Sequence, residues 1–402
     1  MRITVHADDL RKALRFLNPS SMPRFGGLVK LDVSGSLTVS TFTALTYRAA
    51  VVHRVAASNT EHGTAIVAYS NLVSALALWN GDVTLFTREG WSHLGIIGAD
   101  RHTVDGGRQA GRTFTIALAA TDDEYPATPV PPFGSDLDGF SEFMAHTAVA
   151  DVPYRELRTM TRFVEQAALR DETFPLMMTV AIAADGDRLR MIATDRYSAS
   201  DASVTPSQTY NNFTGWTTQA PAHVDATDLR KAVNAITDRA PKWGESAVRL
   251  FQTTCPGATG EWVGFATPDR VAAIRRYTVT FPEFHYGKLT DVLAKDCPPD
   301  TPPVLTVGRK DFYDAVCHLR SGQATAPVTD GVNLKTEPHD NRYYVLDGPG
   351  FEFRLRADNL YRALKATPTG EVVIHHRPGD RAARLETVVG THTITTPKTA
   401  SR

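Results

Sequence analysis

Cysteine is nearly absent. The 402 residues hold three, Cys255, Cys297 and Cys317, with no Cys-x-x-Cys spacing. That excludes a disulfide framework and a structural zinc site, and leaves each as a reduced, buried or incidental thiol. Long apolar runs are missing as well: nothing approaches the roughly 18 residues of a membrane span. Charge sits within Met1 to Asp9, where a secretory signal would need an apolar stretch, so a soluble, cytosolic protein is expected. Nor does charge of one sign dominate, with 43 Lys+Arg against 44 Asp+Glu; neither a polycation nor a disordered acidic chain fits.

Catalytic motifs are equally scarce. There is no Gly-x-Ser-x-Gly elbow, His-Glu-x-x-His helix or Gly-x-Gly-x-x-Gly turn. Gly287-Lys288-Leu289-Thr290 fails as a phosphate loop, because Pro282 stands five residues before Gly287 and Leu289 follows the lysine. His375 and His376 end a strand pattern, so their side chains point to opposite faces and make no helical metal pair; an exposed pair is expected. The run Asp122-Asp123-Glu124 could ligate magnesium in a nuclease, although adjacent carboxylates before prolines are more often solvated.

What the sequence does contain is repetition. Its length allows three domains of about 134 residues. Two proline clusters, Pro126 to Pro132 and Cys297 to Pro303, read as stiff extended linkers and cut the chain near 130 and 300. Most of the rest alternates like short strands, as in Leu37–Phe42, Leu189–Thr194 and Val372–Ile374. Six ten-residue windows share a helical template: 8–17, 70–79, 155–164, 227–236, 310–319 and 358–367, two per third. Counted from the third residue of each window, positions 0, +3, +4 and +7 form one helix face, and 22 of these 24 positions are apolar, Thr161 and Thr367 being the exceptions. Each helix should lay that stripe on a sheet, with Asp8, Ser70, Thr227 and Asp358 as N-caps.

The opposite face, at +1, +2 and +5, carries Arg11, Lys12, Arg15, Arg158, Arg162, Arg230, Lys231, Arg362 and Lys365 against a single acid, Asp314. For one helix this is an ordinary solvated face. Repeated in a chain that is neutral overall, it suggests a shared polyanionic neighbour, nucleic acid held by its backbone, with the compensating acids elsewhere.

These features resemble the bacterial DNA polymerase sliding clamp. The strongest local match is Met191-Ile192-Ala193-Thr194-Asp195-Arg196-Tyr197-Ser198-Ala199, similar to a family segment Val-Ala-Thr-Asp-Gly-His-Arg-Leu-Ala. Asp123-Glu124-Tyr125-Pro126, Phe281-Pro282-Glu283-Phe284 and Thr41 to Arg48 support it. The resemblance implies an α+β DNA-clamp fold of three similar domains, 1–130, 138–290 and a shortened 303–402, each with two helices on antiparallel sheets. It further implies a head-to-tail homodimer ring around duplex DNA, loose sequence-independent contact, and no enzymatic activity or cofactor. Arg24 and Arg170 fall where the family presents DNA-touching loop residues, and Phe114 and Ile116 at its subunit boundary. A groove for polymerase and clamp-loader peptides would include Leu176, Thr194, Arg196, Tyr197, Ala199, Pro282, Tyr286 and Asn359. Departures are Arg196-Tyr197-Ser198-Ala199 in place of Gly-His-Arg-Leu, and a polar tail, Pro397 to Arg402. Residues 101–111 read as an insertion. The alternatives are a clamp-like peptide-binding regulator or decoy that does not encircle DNA, and the metal-dependent nuclease.

Overall fold

A computed structural model describes residues 1–17, 27–33, 37–42, 49–55, 57–98, 113–120, 137–169, 174–217, 221–237, 247–254, 261–268, 270–277 and 286–396. Arg24, Arg170, Pro282, Asp122 to Glu124 and the insertion at 101–111 lie outside these residues. The helices described are α1 (Ala7–Leu17), α2 (Tyr69–Leu76), α3 (Leu137–Thr147), α4 (Tyr154–Glu165), α5 (Ala226–Thr237), α6 (Tyr286–Asp296), α7 (Arg309–Arg320) and α8 (Ala357–Ala366). All but α3 and α6 are the repeated windows. Their stripes are buried as the template requires, from Leu10 and Leu72 to Phe312 and Leu360 at 0% exposure. Thr161 and Thr367 are buried too, and the Thr367 hydroxyl donates to the Ala363 carbonyl one turn earlier (2.9 Å).

The expected N-caps are corrected. Asp8 and Asp358 sit inside the first turn, and α2 and α8 begin after Ala68 and Arg356 with no side-chain cap. Only α5 has an aspartate cap, Asp225 rather than Thr227; its Oδ1 accepts from the amides of Thr227 (2.9 Å) and Asp228 (3.0 Å). Helices α1, α2, α7 and α8 each leave a strand without a loop, and the first amide of each is taken by a main-chain carbonyl just ahead of another strand. Ala7 donates to Gly81 (2.8 Å), Tyr69 to Gly27 (2.5 Å), Arg309 to Gly370 (2.8 Å) and Ala357 to Arg342 (2.8 Å). These bonds satisfy donors that would otherwise be orphaned.

Contacts group the chain into two compact units, Met1–Asp151 with Lys231–Arg276, and Val152–Arg230 with Tyr277–Arg402. In the first, α1 and α2 pack on antiparallel strands through Ile3, Leu14, Leu31, Leu76, Leu85 and Ile96. The second contains an eight-stranded antiparallel array. Its order is Ala222–Asp225, Thr179–Asp185, Arg188–Thr194, Ser198–Val204, Gly390–Thr395, Ala382–Glu386, Glu371–His375 and Pro303–Gly308. A separate four-stranded sheet, Thr325–Thr329 to Phe351–Arg356, carries α7 and α8.

Two further expectations are revised. The Cys297–Pro303 run is tied down: Arg384 donates to the Pro298 and Pro299 carbonyls, and Thr301 is 2% exposed. The histidine pair is buried, because His375 faces the Thr301 carbonyl (2.8 Å) and the Glu386 carboxylate (3.1 Å), while His376 stacks on Phe353.

At the centre of the eight-stranded array Ser200 stands directly opposite His392. The Ser200 hydroxyl and His392 Nδ1 are 2.6 Å apart, and the Phe163 ring of α4 stacks on the imidazole at 3.8 Å. Complete burial pushes His392 down to about 3. Below its ordinary pKa of about 6.5 the unfolded chain binds a proton that the folded chain refuses, so stability is intact above that pH and is lost progressively as pH falls toward 3. Replacing the pair together (Ser200→Ala with His392→Phe) should make the fall in urea midpoint between pH 6.5 and 4 shallower, by nearly one proton in the linkage slope.

Candidate functional site

The segment singled out in the sequence folds into a tight turn between the strands Arg188–Thr194 and Ser198–Val204, and a buried carboxylate organises it. Asp195 is 3% exposed. Its Oδ1 accepts from the amides of Tyr197 (3.1 Å) and Ser198 (2.8 Å) and from the Ser198 hydroxyl (3.0 Å). Oδ2 accepts from Asn359 Nδ2 (2.9 Å) and from Arg362 (2.5 Å), both on α8. Arg362 also donates to the Gln166 carbonyl at the end of α4 (3.1 Å). Thr194 closes the turn from within, its hydroxyl donating to the Ser198 carbonyl (2.7 Å) and accepting from the Arg196 amide (3.2 Å).

This bonding drives Arg196 to φ +78°, the left-handed region, and it is the one non-glycine residue there among those described. For an L-residue that costs on the order of 1–2 kcal/mol. The Arg196 guanidinium lies 3.6 Å over the exposed Phe174 ring, and Arg356 lies 3.5 Å over Tyr197, which is 46% exposed. Beside the turn is a shallow depression lined by Leu176, Thr179, Ala181, Ile192, Ala193, Thr194, His223 and Leu289. Leu289 and Leu293 of α6 pack on Ala181, Ala183 and Ile192, and the space left is about 10 Å³, roughly that of one water molecule.

Thus Leu176 and Thr194 line the depression, Arg196 and Tyr197 stand exposed at its turn, and Ala199 (2%) and Asn359 (3%) lie beneath the surface. Asn359 therefore supports the turn from below. Tyr286 begins α6, and its side chain is outside the described set. Phe174, Ser198 and Arg356 were not expected; the Asp-x-x-Ser spacing is the local signal that could have indicated a side-chain-bonded turn.

The basic residues divide into two groups. Arg11 is fixed internally, donating to the Leu76 (2.8 Å) and Trp79 (2.9 Å) carbonyls at the end of α2, and its bond to Asp8 holds that carboxyl below the usual range. Arg362 is likewise committed to Asp195. Lys12, ion-paired with Asp9 (2.5 Å), is exposed, as are Arg15, Arg162, Lys231 and Lys365. On α4, Arg158 and Arg162 are one turn apart and lack a carboxylate partner among the described residues; Arg230 faces Glu165 at 2.8 Å. Partial burial and the repulsion of Arg158 and Arg230 push the Arg162 pKa down. Of the two boundary residues, Phe114 is 40% exposed, whereas Ile116 (3%) belongs to the core of its unit. Among the described residues no group of three or more His, Cys, Asp or Glu could hold a metal, and no helix is long and apolar enough to cross a membrane.

No protein-family model matches the sequence, and no curated protein matches it. Solved structures do. The DNA polymerase sliding clamp from Bacillus subtilis superposes with a TM-score of 0.71 at 14% identity, covering 99% of each chain. The DNA polymerase III beta chain from Streptococcus pneumoniae gives 0.70 at 15% identity, and the beta subunit from Thermotoga maritima 0.65 at 15%, each over 99% of this chain and 100% of theirs. The fold is therefore that of the DNA sliding clamps. In particular, the whole chain adopts the fold of the DNA polymerase III beta subunit.

Removing the Asp195 carboxylate would strand an arginine, an asparagine and two amides. Asp195→Ala should lower the unfolding free energy by about 3 kcal/mol or more in urea titration. Arg196→Gly should be nearly neutral, since relief of the left-handed strain offsets the lost ring contact and the added chain freedom, whereas Arg196→Val should cost about 1–2 kcal/mol.

Proposed function

We propose that this protein is a DNA sliding clamp, a non-catalytic processivity factor that closes a head-to-tail homodimer ring around duplex DNA. Its three clamp domains would be 1–130, 138–290 and 303–402. The observation that carries the reading is the match over essentially the full length of both chains to proteins described as DNA polymerase sliding clamps. The basic helix residues support it: exposed Lys12, Arg15, Arg162, Lys231 and Lys365 and half-buried Arg158 and Arg230 offer phosphate contacts, while Arg11 and Arg362 act inside the protein. Loose phosphate contact suits a clamp, because base readout would arrest sliding. Arg24 and Arg170 are proposed to add loop contacts, and Phe114 to contribute to ring closure. Polymerase and clamp loader are proposed to dock at the depression beside Leu176 and Thr194, with Pro282 and Tyr286 taking part in the contact.

Retention separates a ring from a groove-only regulator. Protein loaded on nicked circular DNA should stay through gel filtration and be lost when the circle is linearised, and scattering should give twice the 43.9 kDa chain mass with a hollow-disc distance distribution. A monomer indifferent to linearisation would point to the regulator instead. Exchanging Arg158 and Arg162 for Gln should weaken duplex binding and lower the slope of log affinity against log salt by up to about four, two contacts on each protomer of the ring, with folding unchanged.

A further inference from the structure

We infer that the Thr194–Ser198 turn receives an acidic segment of a partner protein, whose carboxylates engage Arg196 and Arg356 while an apolar side chain packs over the shallow depression beside Leu176 and Thr194. The inference rests on the peptide-docking reading above and adds the chemistry of the partner.

Three observations converge on it. Arg196 is strained where glycine would be free of strain, and its guanidinium is exposed. Strain that the surrounding bonds over-determine marks a position where the side chain has a use. Second, Arg196 and Arg356 differ from many of the arginines in their unit, which are tied to a carboxylate or, like Arg309 and Arg384, to main-chain carbonyls. Arg190, Arg320, Arg342, Arg354, Arg362 and Arg377 each pair with a carboxylate. Arg196 and Arg356 have none among the described residues, and each lies flat on an exposed aromatic ring instead. A stacked guanidinium keeps its in-plane donors free to fork onto a carboxylate, and stacking has already removed much of its rotamer freedom. Third, two described acids near the turn are already committed. Asp195 is buried and consumed by its own donors, and Asp340 is bound to Arg342, which holds its carboxyl down at about 2. The Thr395 amide donates to the Tyr197 carbonyl (2.8 Å). Two guanidiniums with no carboxylate partner among the described residues make an acidic partner complementary.

The test uses two fluorescent, end-capped peptides, Glu-Glu-Leu-Phe-Glu-Glu and the same with every Glu changed to Gln, titrated by anisotropy against the full chain. At low salt the acidic peptide should bind about tenfold tighter, and the difference should shrink as salt rises. In Arg196→Gly with Arg356→Gln the ratio should fall to about one, with the Gln peptide unchanged. Thermal melts check folding, and Arg196→Gly alone carries the comparison if the double variant unfolds. Equal binding of both peptides to the wild type would overturn the acidic preference and leave docking standing; binding of neither would overturn both. Loss of duplex DNA binding in the variant, with the peptide ratio intact, would assign these guanidiniums to phosphate and overturn the inference.

Discussion

The Asp195 carboxylate is the constraint on which the candidate site depends. A buried charge survives only if its lone pairs are filled, and filling them dictates what surrounds it. Two successive amides must turn inward, which forces the left-handed residue. Asn359 and Arg362 must come from α8, which ties residues 164 and 167 positions away in sequence to one turn. Through Arg362 the same carboxylate reaches the last turn of α4. The exposed elements of the turn, Arg196 and Tyr197, inherit their positions from this hidden pairing.

Arginine has a second recurring use. The carbonyls left open at helix ends are taken by guanidiniums from neighbouring elements: Arg11 on the end of α2, Arg362 just beyond α4, Arg270 on Ala235 of α5 (3.4 Å) and Arg309 on Leu364 of α8 (2.8 Å). A cation there also opposes the negative end of the helix dipole. Arg11 and Arg362 thus contribute to the basic excess of the outer faces while serving the interior.

The repeated helices were legible because burial imposes a period, and every described residue of their stripes is at least half buried. The histidine pair and the second proline run were misread for a physical reason: their environment is supplied by distant strands, through Thr301, Glu386, Phe353 and Arg384, which no local pattern encodes. The Thr194–Ser198 segment was found by resemblance, yet its organising residue was passed over. Asn359 was named only through the resemblance, because its buried partner Asp195 lies 164 residues away and no local pattern encodes the pairing. Helices α3 and α6 went unnoticed because they lack the shared template.

The main-chain bonds that start α1, α2, α7 and α8 bear on how such a fold can age. Their acceptors are peptide carbonyls of Gly27, Gly81, Arg342 and Gly370, not side chains, and the three glycines stand at φ +70°, +90° and +141°, where a side chain would be strained. Away from those glycines, side chains at these junctions can therefore drift without loosening the joints, provided the stripe beneath stays apolar. A fold held in this way can outlast most of the letters that first spelled it, which accounts for full-length structural likeness at 14–15% identity.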